Sequence, residues 1–332
     1  MSYGNTGKER DALFDNMKAL LIFLVVLGHL IRDFGYDTEL GNSLYKIIFS
    51  FHMPAFLFVS GYFAKYNPKR FFAKMIPLYV VFQCLHYLLD LVVILLHGGN
   101  ISSIHFQMFT PRFTLWYLMA LMAYQLLIPV IDTSDGRHRA LIFTAAVAAG
   151  LLMGLNPDSH NFMAMSRIVT FFPFFLLGYY EKDAQWIRKL RERCHRRMGV
   201  VSVILAAALI IGFCVLHNTI SSGWFLATKS YGDHGFTWYI RLAVYGIALV
   251  WILILMMLIP GKKIPFLGQI GRNTLPVYLI HAIIVPALSS SSVVVSWLTG
   301  RMVMILILAA GMTWIFSRNV FQNLVNKIQL KF

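Results

Sequence analysis

The sequence predicts an all-α, polytopic membrane protein with ten transmembrane helices and both termini in the cytoplasm. Three observations carry that prediction: a large apolar excess, apolar runs of spanning length, and an uneven division of Lys and Arg between alternate loops. The chain has 332 residues, 58% of them hydrophobic and 13% charged, with a mean hydropathy of +0.67. A soluble domain carries about 45–50% apolar and about 25% charged residues, so this excess needs hydrocarbon as its solvent. Few charges together with 15% aromatic residues are the reverse of the disorder signature. The three cysteines, Cys84, Cys194 and Cys214, form no paired spacing, which indicates neither a disulfide framework nor a metal site.

A span needs roughly 20 residues to cross a ~30 Å core. The first apolar run, 17–34, follows Lys8, Arg10 and Lys18 but has no small-residue cleavage site; Arg32 and Asp33 come next, so it reads as a retained helix rather than a signal peptide. The second, 44–64, contains Phe51-His52-Met53-Pro54 and then Ser60-Gly61, where the proline frees carbonyls and the small pair permits close packing. Asn67-Pro68 breaks the chain before the third run, 75–97, in which Gln83, His86 and Asp90 make a polar stripe. Gly98-Gly99 precedes the fourth, 113–131, whose start sets Arg112 and Trp116 at i,i+4, a spacing that also suits an interfacial cation–π anchor. Asp135-Gly136 leads into the fifth, 139–155, and Asn156-Pro157 into the sixth, 167–180; both are short. The seventh run is 200–217, and the eighth, 236–259, stops at Pro260-Gly261. The ninth, 274–290, opens after Gly271-Arg272-Asn273 and carries Tyr278 and His281 one turn apart; the tenth is 298–317. No repeat of solenoid length is present, and residues 1–332 read as one membrane domain.

The charge test follows from this layout. With the N-terminus inside, the inner side holds Lys8, Arg10 and Lys18; Lys65, Lys69, Arg70 and Lys74; Arg137 and Arg139; Lys182, Arg188, Lys189, Arg191, Arg193, Arg196 and Arg197; Lys262, Lys263 and Arg272; and Arg318, Lys327 and Lys331. The outer side holds Arg32, Lys46, Arg112, Arg167, Lys229, Arg241 and Arg301, a split of 22 to 7. That asymmetry is the positive-inside signal. It accounts for the net charge of +15 without a nucleic-acid partner.

Ionisable groups at membrane depth mark functional interiors. On the first helix Asp15, Lys18, Ile22, Val25 and His29 recur at steps of three and four, on one stripe. Lys18 and His29 are eleven residues apart, ~16 Å along the axis, so Lys18 reaches the cytoplasmic rim while His29 lies deep. Gly28 beside it admits a close neighbour. No Walker A, dinucleotide fingerprint, HExxH or GxSxG is present, which leaves ATP-driven transport, zinc proteolysis and serine hydrolysis without support.

These residues resemble a known family. Lys18 followed by ten residues and His29 is similar to the Arg/Lys-x10-His motif of the bacterial membrane acyltransferase-3 family. Phe51-His52-Met53-Pro54 through Ser60-Gly61-Tyr62, Leu115-Trp116-Tyr117-Leu118, Phe172-Pro173-Phe174 through Gly178, and Gly271-Arg272-Asn273 through His281 resemble its later motifs in order. Within that family the pattern resembles the fucose 4-O-acetylase-like branch. There are two departures. The basic position is Lys18 rather than Arg, which loses the bidentate fork, and the family's RxxR appears only as Arg70-x3-Lys74.

The resemblance implies O-acyl transfer, usually acetyl, from a cytoplasmic acyl-coenzyme A to a hydroxyl of a cell-surface sugar or glycan, in the bacterial cytoplasmic membrane. It needs no metal, and the partners it implies are the acyl donor, the glycan acceptor and the bilayer. The catalytic candidates are His29 as base, with Lys18 and Asp15; acyl-histidine formation is the variant route. Candidates for contacting substrate or the oxyanion are His52, Ser60, Arg112, Trp116, Asn273, Tyr278 and His281. Lys69, Arg70 and Lys74 are candidates for the coenzyme A head. The alternative is a transporter or flippase of a lipid-linked sugar that catalyses nothing.

Overall fold

The structure, a computed structural model, describes residues 11–155 and 162–330. Lys8, Arg10, Lys331 and the Asn156-Pro157 break lie outside them. The described residues form helices, with no strand among them. In chain order they are α1 (Ala12–Phe34), α2 (Glu39–Phe63), α3 (Pro68–Leu96), α4 (Trp116–Ile131), α5 (Gly136–Leu152), α6 (Met165–Ala184), α7 (Trp186–Val215), α8 (Gly223–Leu226), α9 (Tyr231–His234), α10 (Trp238–Leu258), α11 (Pro265–Arg272), α12 (Thr274–Ser289), α13 (Ser292–Leu298), α14 (Met302–Phe316) and α15 (Asn319–Ile328).

Polar residues that punctuate the sequence become helix caps. Asp11 accepts from the Leu13 N–H at 3.1 Å, and Thr38 from Gly41 N–H at 3.0 Å. Asn67 accepts from Arg70 N–H at 3.2 Å with Pro68 in the first turn, and Asp135 from Arg137 N–H at 3.0 Å. Each meets one of the unpaired amide donors that open a helix.

Among the described residues six segments are long and apolar enough to cross a membrane: α1, α2, α3, Gly136–Leu155, Arg196–Val215 and α10. Two bent pairs, α12 with α13 at 97° and α14 with α15 at 62°, bring the number to eight if each pair is one span. The protein is therefore a multi-pass membrane protein. Every predicted run falls on a helix, but two do not reach spanning length or apolarity. The 16 residues of α4 rise about 24 Å, short of a ~30 Å core. The other, α6, carries Arg167 and ends in Glu181-Lys182-Asp183; it packs against α2, so its apolar face meets protein.

A further difference concerns the basic stretch before the seventh run, expected as a loop. It is the first half of α7, bent at Cys194 (φ −127°, ψ 25°). Arg and Lys are good helix formers, and the cations are anchored: Arg191 donates to the carbonyls of Met256 (2.5 Å) and Ile259 (2.7 Å) at the end of α10, where the helix dipole favours positive charge.

Around α1 lie α2, α11, α12 and α14, and α2 packs most closely on α6. At that crossing a Cβ on Gly61 would collide with the Phe175 carbonyl, and one on Gly178 with the Phe58 carbonyl. Only glycine lets the backbones meet so closely. The central position of α1, with Leu21, Val26, Leu30 and Ile31 fully enclosed, fixes the two ends of its polar stripe in separate cavities.

Candidate active site

The first cavity, about 150 Å³, surrounds the C-terminal half of α1. Val25, His29 and Arg32 of α1, Tyr45, Phe49, His52 and Met53 of α2, Phe113, Thr114 and Trp116 at the head of α4, Arg167 and Phe171 of α6, Phe225 and Leu226 of α8, and Tyr278 of α12 line it. His29 is half-buried, and its Nδ1 lies 2.8 Å from the Val25 carbonyl. A carbonyl only accepts, so Nδ1 carries the hydrogen and donates. In the neutral ring Nε2 is left with its lone pair, the atom a base uses. The same i−4 bond orients His52 (to Ile48 O, 2.8 Å) and His281 (to Val277 O, 2.9 Å).

Aromatic rings hold His29 in place. Its ring centroid lies 4.8 Å from that of Phe113, 5.8 Å from Phe49 and 5.3 Å from His281. Phe49 can approach because Gly28 has no side chain; a Cβ there would meet Phe49 Cε2 at 2.9 Å. His281 is fully buried with Nε2 unpartnered among the described residues, and so is the Thr114 hydroxyl. Tyr278 donates its hydroxyl to the Thr114 carbonyl.

The second cavity, about 650 Å³, opens at the other end of α1. Asp11, Asp15, Lys18, Tyr62, Phe63, Lys65, Lys182, Gln185, Arg188 and Arg272 line it. Lys18 pairs with Asp15 at 2.7 Å, and Arg188 with Asp11 at 2.5 Å. Five cations against two carboxylates leave this cavity electropositive, a surface that attracts polyanions.

Of the residues singled out in the sequence, His29, His52, Trp116 and Tyr278 share the first cavity, and His281 stands against His29. Lys18 and Asp15 line the second. Ser60 hydrogen-bonds Tyr117 at 2.6 Å beside these groups. Elsewhere the geometry separates them. Asn273 donates to the Ser317 carbonyl (2.7 Å) and Asn319 Oδ1 (3.0 Å), tying α12 to α15. Lys69 and Arg70 are exposed and Lys74 is half-exposed on the first turns of α3, outside the lining of either cavity.

The Arg112–Trp116 pairing is corrected. The chain is not helical before Trp116, and Phe113 takes a left-handed conformation (φ 47°), so i,i+4 neighbours do not face each other. Instead Arg112 pairs with Asp90 and stacks over Tyr87 at 5.4 Å, while Arg167 lies over Trp116 at 5.2 Å. The stripe on α3 holds this loop: Gln83 donates to the carbonyls of Gln107 (2.9 Å) and Thr110 (2.8 Å) and accepts from Arg112 N–H (3.0 Å). Arg167, Phe113 and Thr114 are the site residues that sequence reasoning passed over. For Arg167 a signal existed, because it is one of the few cations set against the positive-inside bias.

The acyltransferase domain family (Acyl_transf_3) matches residues 11–318, from the cap of α1 to the head of α15. The chain belongs to this acyltransferase family. Among curated proteins, Nodulation protein NolL of Sinorhizobium fredii (strain NBRC 101917 / NGR234) is 28% identical over 183 residues, covering 51% of this chain and 48% of that protein. Nodulation protein NolL of Mesorhizobium japonicum (strain LMG 29417 / CECT 9101 / MAFF 303099) is 24% identical over 238 residues, covering 68% of this chain and 59% of that protein. The chain thus spans about half the length of the curated relatives it matches. No solved structure matches it.

Proposed function

We propose that this acyltransferase moves an acyl group, acetyl in the simplest case, from acyl-coenzyme A to a sugar or glycan hydroxyl, with ten spans and both termini on the cytoplasmic side. The observation that carries the reading is the pair of cavities joined by one helix. A cation-rich cavity suited to a coenzyme A head lies at Lys18, and a small cavity holding an imidazole whose Nε2 has no hydrogen bond among the described residues lies eleven residues further along α1. The rise between them, ~16 Å, suits the reach of a thioester arm.

In this reading His29 Nε2 takes the proton of the acceptor hydroxyl as its oxygen attacks the thioester carbonyl. The C–O bond forms, the C–S bond breaks, and the proton passes to the departing sulfur, so that an alcohol and a thioester become an ester and a thiol. The tetrahedral oxyanion needs a preorganised donor. The Thr114 hydroxyl, unpartnered in the cavity lining, is the candidate, since Tyr278 and Asn273 already donate elsewhere. The donor head is held by Lys18, Lys182, Arg188 and Arg272, with Lys69, Arg70 and Lys74 as a second cationic rim on α3.

The test is radiolabelled acetyl-coenzyme A, purified full-length protein in proteoliposomes and a glycan acceptor. Label on the acceptor is the expected result. Passage of unlabelled sugar across the bilayer with no label transferred supports the transporter instead. That alternative finds little in the fold: the bent pairs α12–α13 and α14–α15 adjoin one another, whereas transport folds place broken helices in corresponding positions of two halves.

A further inference from the structure

We infer that the acceptor carries a fixed negative charge, a carboxylate or a phosphate on the sugar unit, and that Arg167 is the residue that selects it. The inference rests on reading the His29 cavity as the acceptor site. Two guanidinium groups, Arg32 and Arg167, line that cavity, and no Asp or Glu does. They differ in how their charge is met. Arg32 Nε lies 2.5 Å from Asp33 Oδ1, and Asp33 is held in turn by the Ser289 hydroxyl at 2.6 Å. Arg167 has no hydrogen bond and no ion pair among the described residues. It lies over the face of Trp116, 5.2 Å away, which fixes the plane of the guanidinium but does not neutralise it.

Two buried cations at this end of the bundle also lack a carboxylate among the described residues, and both are committed to structure. Lys46 donates to the His217 carbonyl. Arg241 donates to Thr170 Oγ1 at 2.8 Å and lies over the rings of Tyr231 (5.0 Å) and Phe236 (5.4 Å). Arg241 keeps two unpartnered nitrogens, but it opens onto a void of about 10 Å³, room for a single water. Arg167 alone among them lines a cavity large enough for a ligand group.

Holding an unmatched guanidinium within aromatic walls costs desolvation, and a site keeps such a group where a ligand supplies the missing charge. Arginine rather than lysine fits that use, because its planar fork meets a carboxylate or phosphate with two parallel hydrogen bonds. The donor's own phosphates do not satisfy it in the proposed arrangement, since they lie at the Lys18 cavity, ~16 Å away along α1.

Binding decides the matter without turnover. The full chain in nanodiscs is titrated calorimetrically, with no acyl donor present, against methyl glucuronide, glucose 6-phosphate and methyl glucoside. The charged probes are expected to bind at least about tenfold more tightly than the neutral one, the scale of a hydrogen bond to a charged group. Which of the two binds tighter separates a carboxylate from a phosphate. Arg167→Gln should bring both to the affinity of methyl glucoside, and Arg167→Lys should keep part of the preference. Equal affinities in the unmodified protein, which need no variant to fold, overturn the inference, as does a preference that survives in Arg167→Gln. Label transfer to the same three sugars is scored separately. Transfer to methyl glucoside as efficient as to the charged sugars keeps the acyltransferase reading and sinks the charge selection. Charge-selective binding with no label transferred to any sugar keeps the anion site and sinks the acyl-transfer reading.

Discussion

The two cavities on α1 differ in how their charges are met, and in the proposed reading the difference separates two jobs. At Lys18 the lining is wide, cationic and partly ion-paired, with Lys65 and Arg272 exposed to solvent. A large polyanion can enter, exchange counter-ions and leave. At His29 the cavity is less than a quarter of that volume, walled by Tyr45, Phe49, Phe113 and Phe171, and without a carboxylate in its lining. Such walls exclude water and hold one ring in one orientation, which is what a transferred acyl group and a positioned hydroxyl require. In the proposed reading the first region captures a ligand by field and the second positions atoms.

The comparison breaks most directly at His29. Replacing it by Ala or Gln should lower acyl transfer by about 10²–10⁴-fold, the usual contribution of a positioned base, with the thermal unfolding midpoint close to that of the parent. Rates within a few-fold of the parent would move the base elsewhere, His281 being the next ring. The next effect belongs to the Lys18 cavity. Arg272→Gln and Lys182→Gln should each raise the KM for the acyl donor about tenfold, the worth of one hydrogen bond to a charged group, with kcat changing less. Arg70→Gln on the α3 rim should do less. If the rim variant has the larger KM effect, the donor head lies along α3 and the wide cavity has another use.

Much of this could be read from residues alone. Each apolar run lies on a helix, and Asn67-Pro68 and Asp135-Gly136 become caps because those side chains satisfy amide donors wherever a helix begins. The spacing of Lys18 and His29 placed them at separate depths on one helix, since periodicity on a single element is a local property. What required the fold was long-range. That Asn273 is occupied by Ser317 and Asn319, that Phe113 turns left-handed, and that Arg167 stacks on Trp116 depend on elements tens of residues apart. The i,i+4 reading of Arg112 and Trp116 failed because it presumed a helix across residues that form a strained turn. The outer cations were nonetheless informative. Counted as exceptions to an orientation rule, they include both arginines of the His29 cavity.

The turn that carries Phe113 and Thr114 sharpens the comparison at smaller scale, because it is where the tight cavity is anchored. Phe113→Gly relieves a left-handed backbone worth about 1–3 kcal/mol and removes the ring packed on His29 and beneath Arg32 (4.6 Å). Stability should change little, while water entry raises thioester hydrolysis relative to transfer several-fold, read as thiol released without label on the acceptor. Gln83 and Arg112 then rank the anchors of the turn. Gln83 is fully buried and makes three hydrogen bonds to the loop, so Gln83→Leu leaves buried amide groups unpaired at about 1–3 kcal/mol each. The Arg112–Asp90 pair is partly exposed, 42% and 34% at the side chains, and such pairs contribute about 0–1 kcal/mol. Arg112→Gln should therefore be the mildest change, lowering transfer no more than about fivefold, and Gln83→Leu should exceed it although it removes no charge. The reverse order, with Arg112→Gln the more damaging, would mean that this guanidinium serves the substrate directly and that the electropositive face of the small cavity extends beyond Arg32 and Arg167.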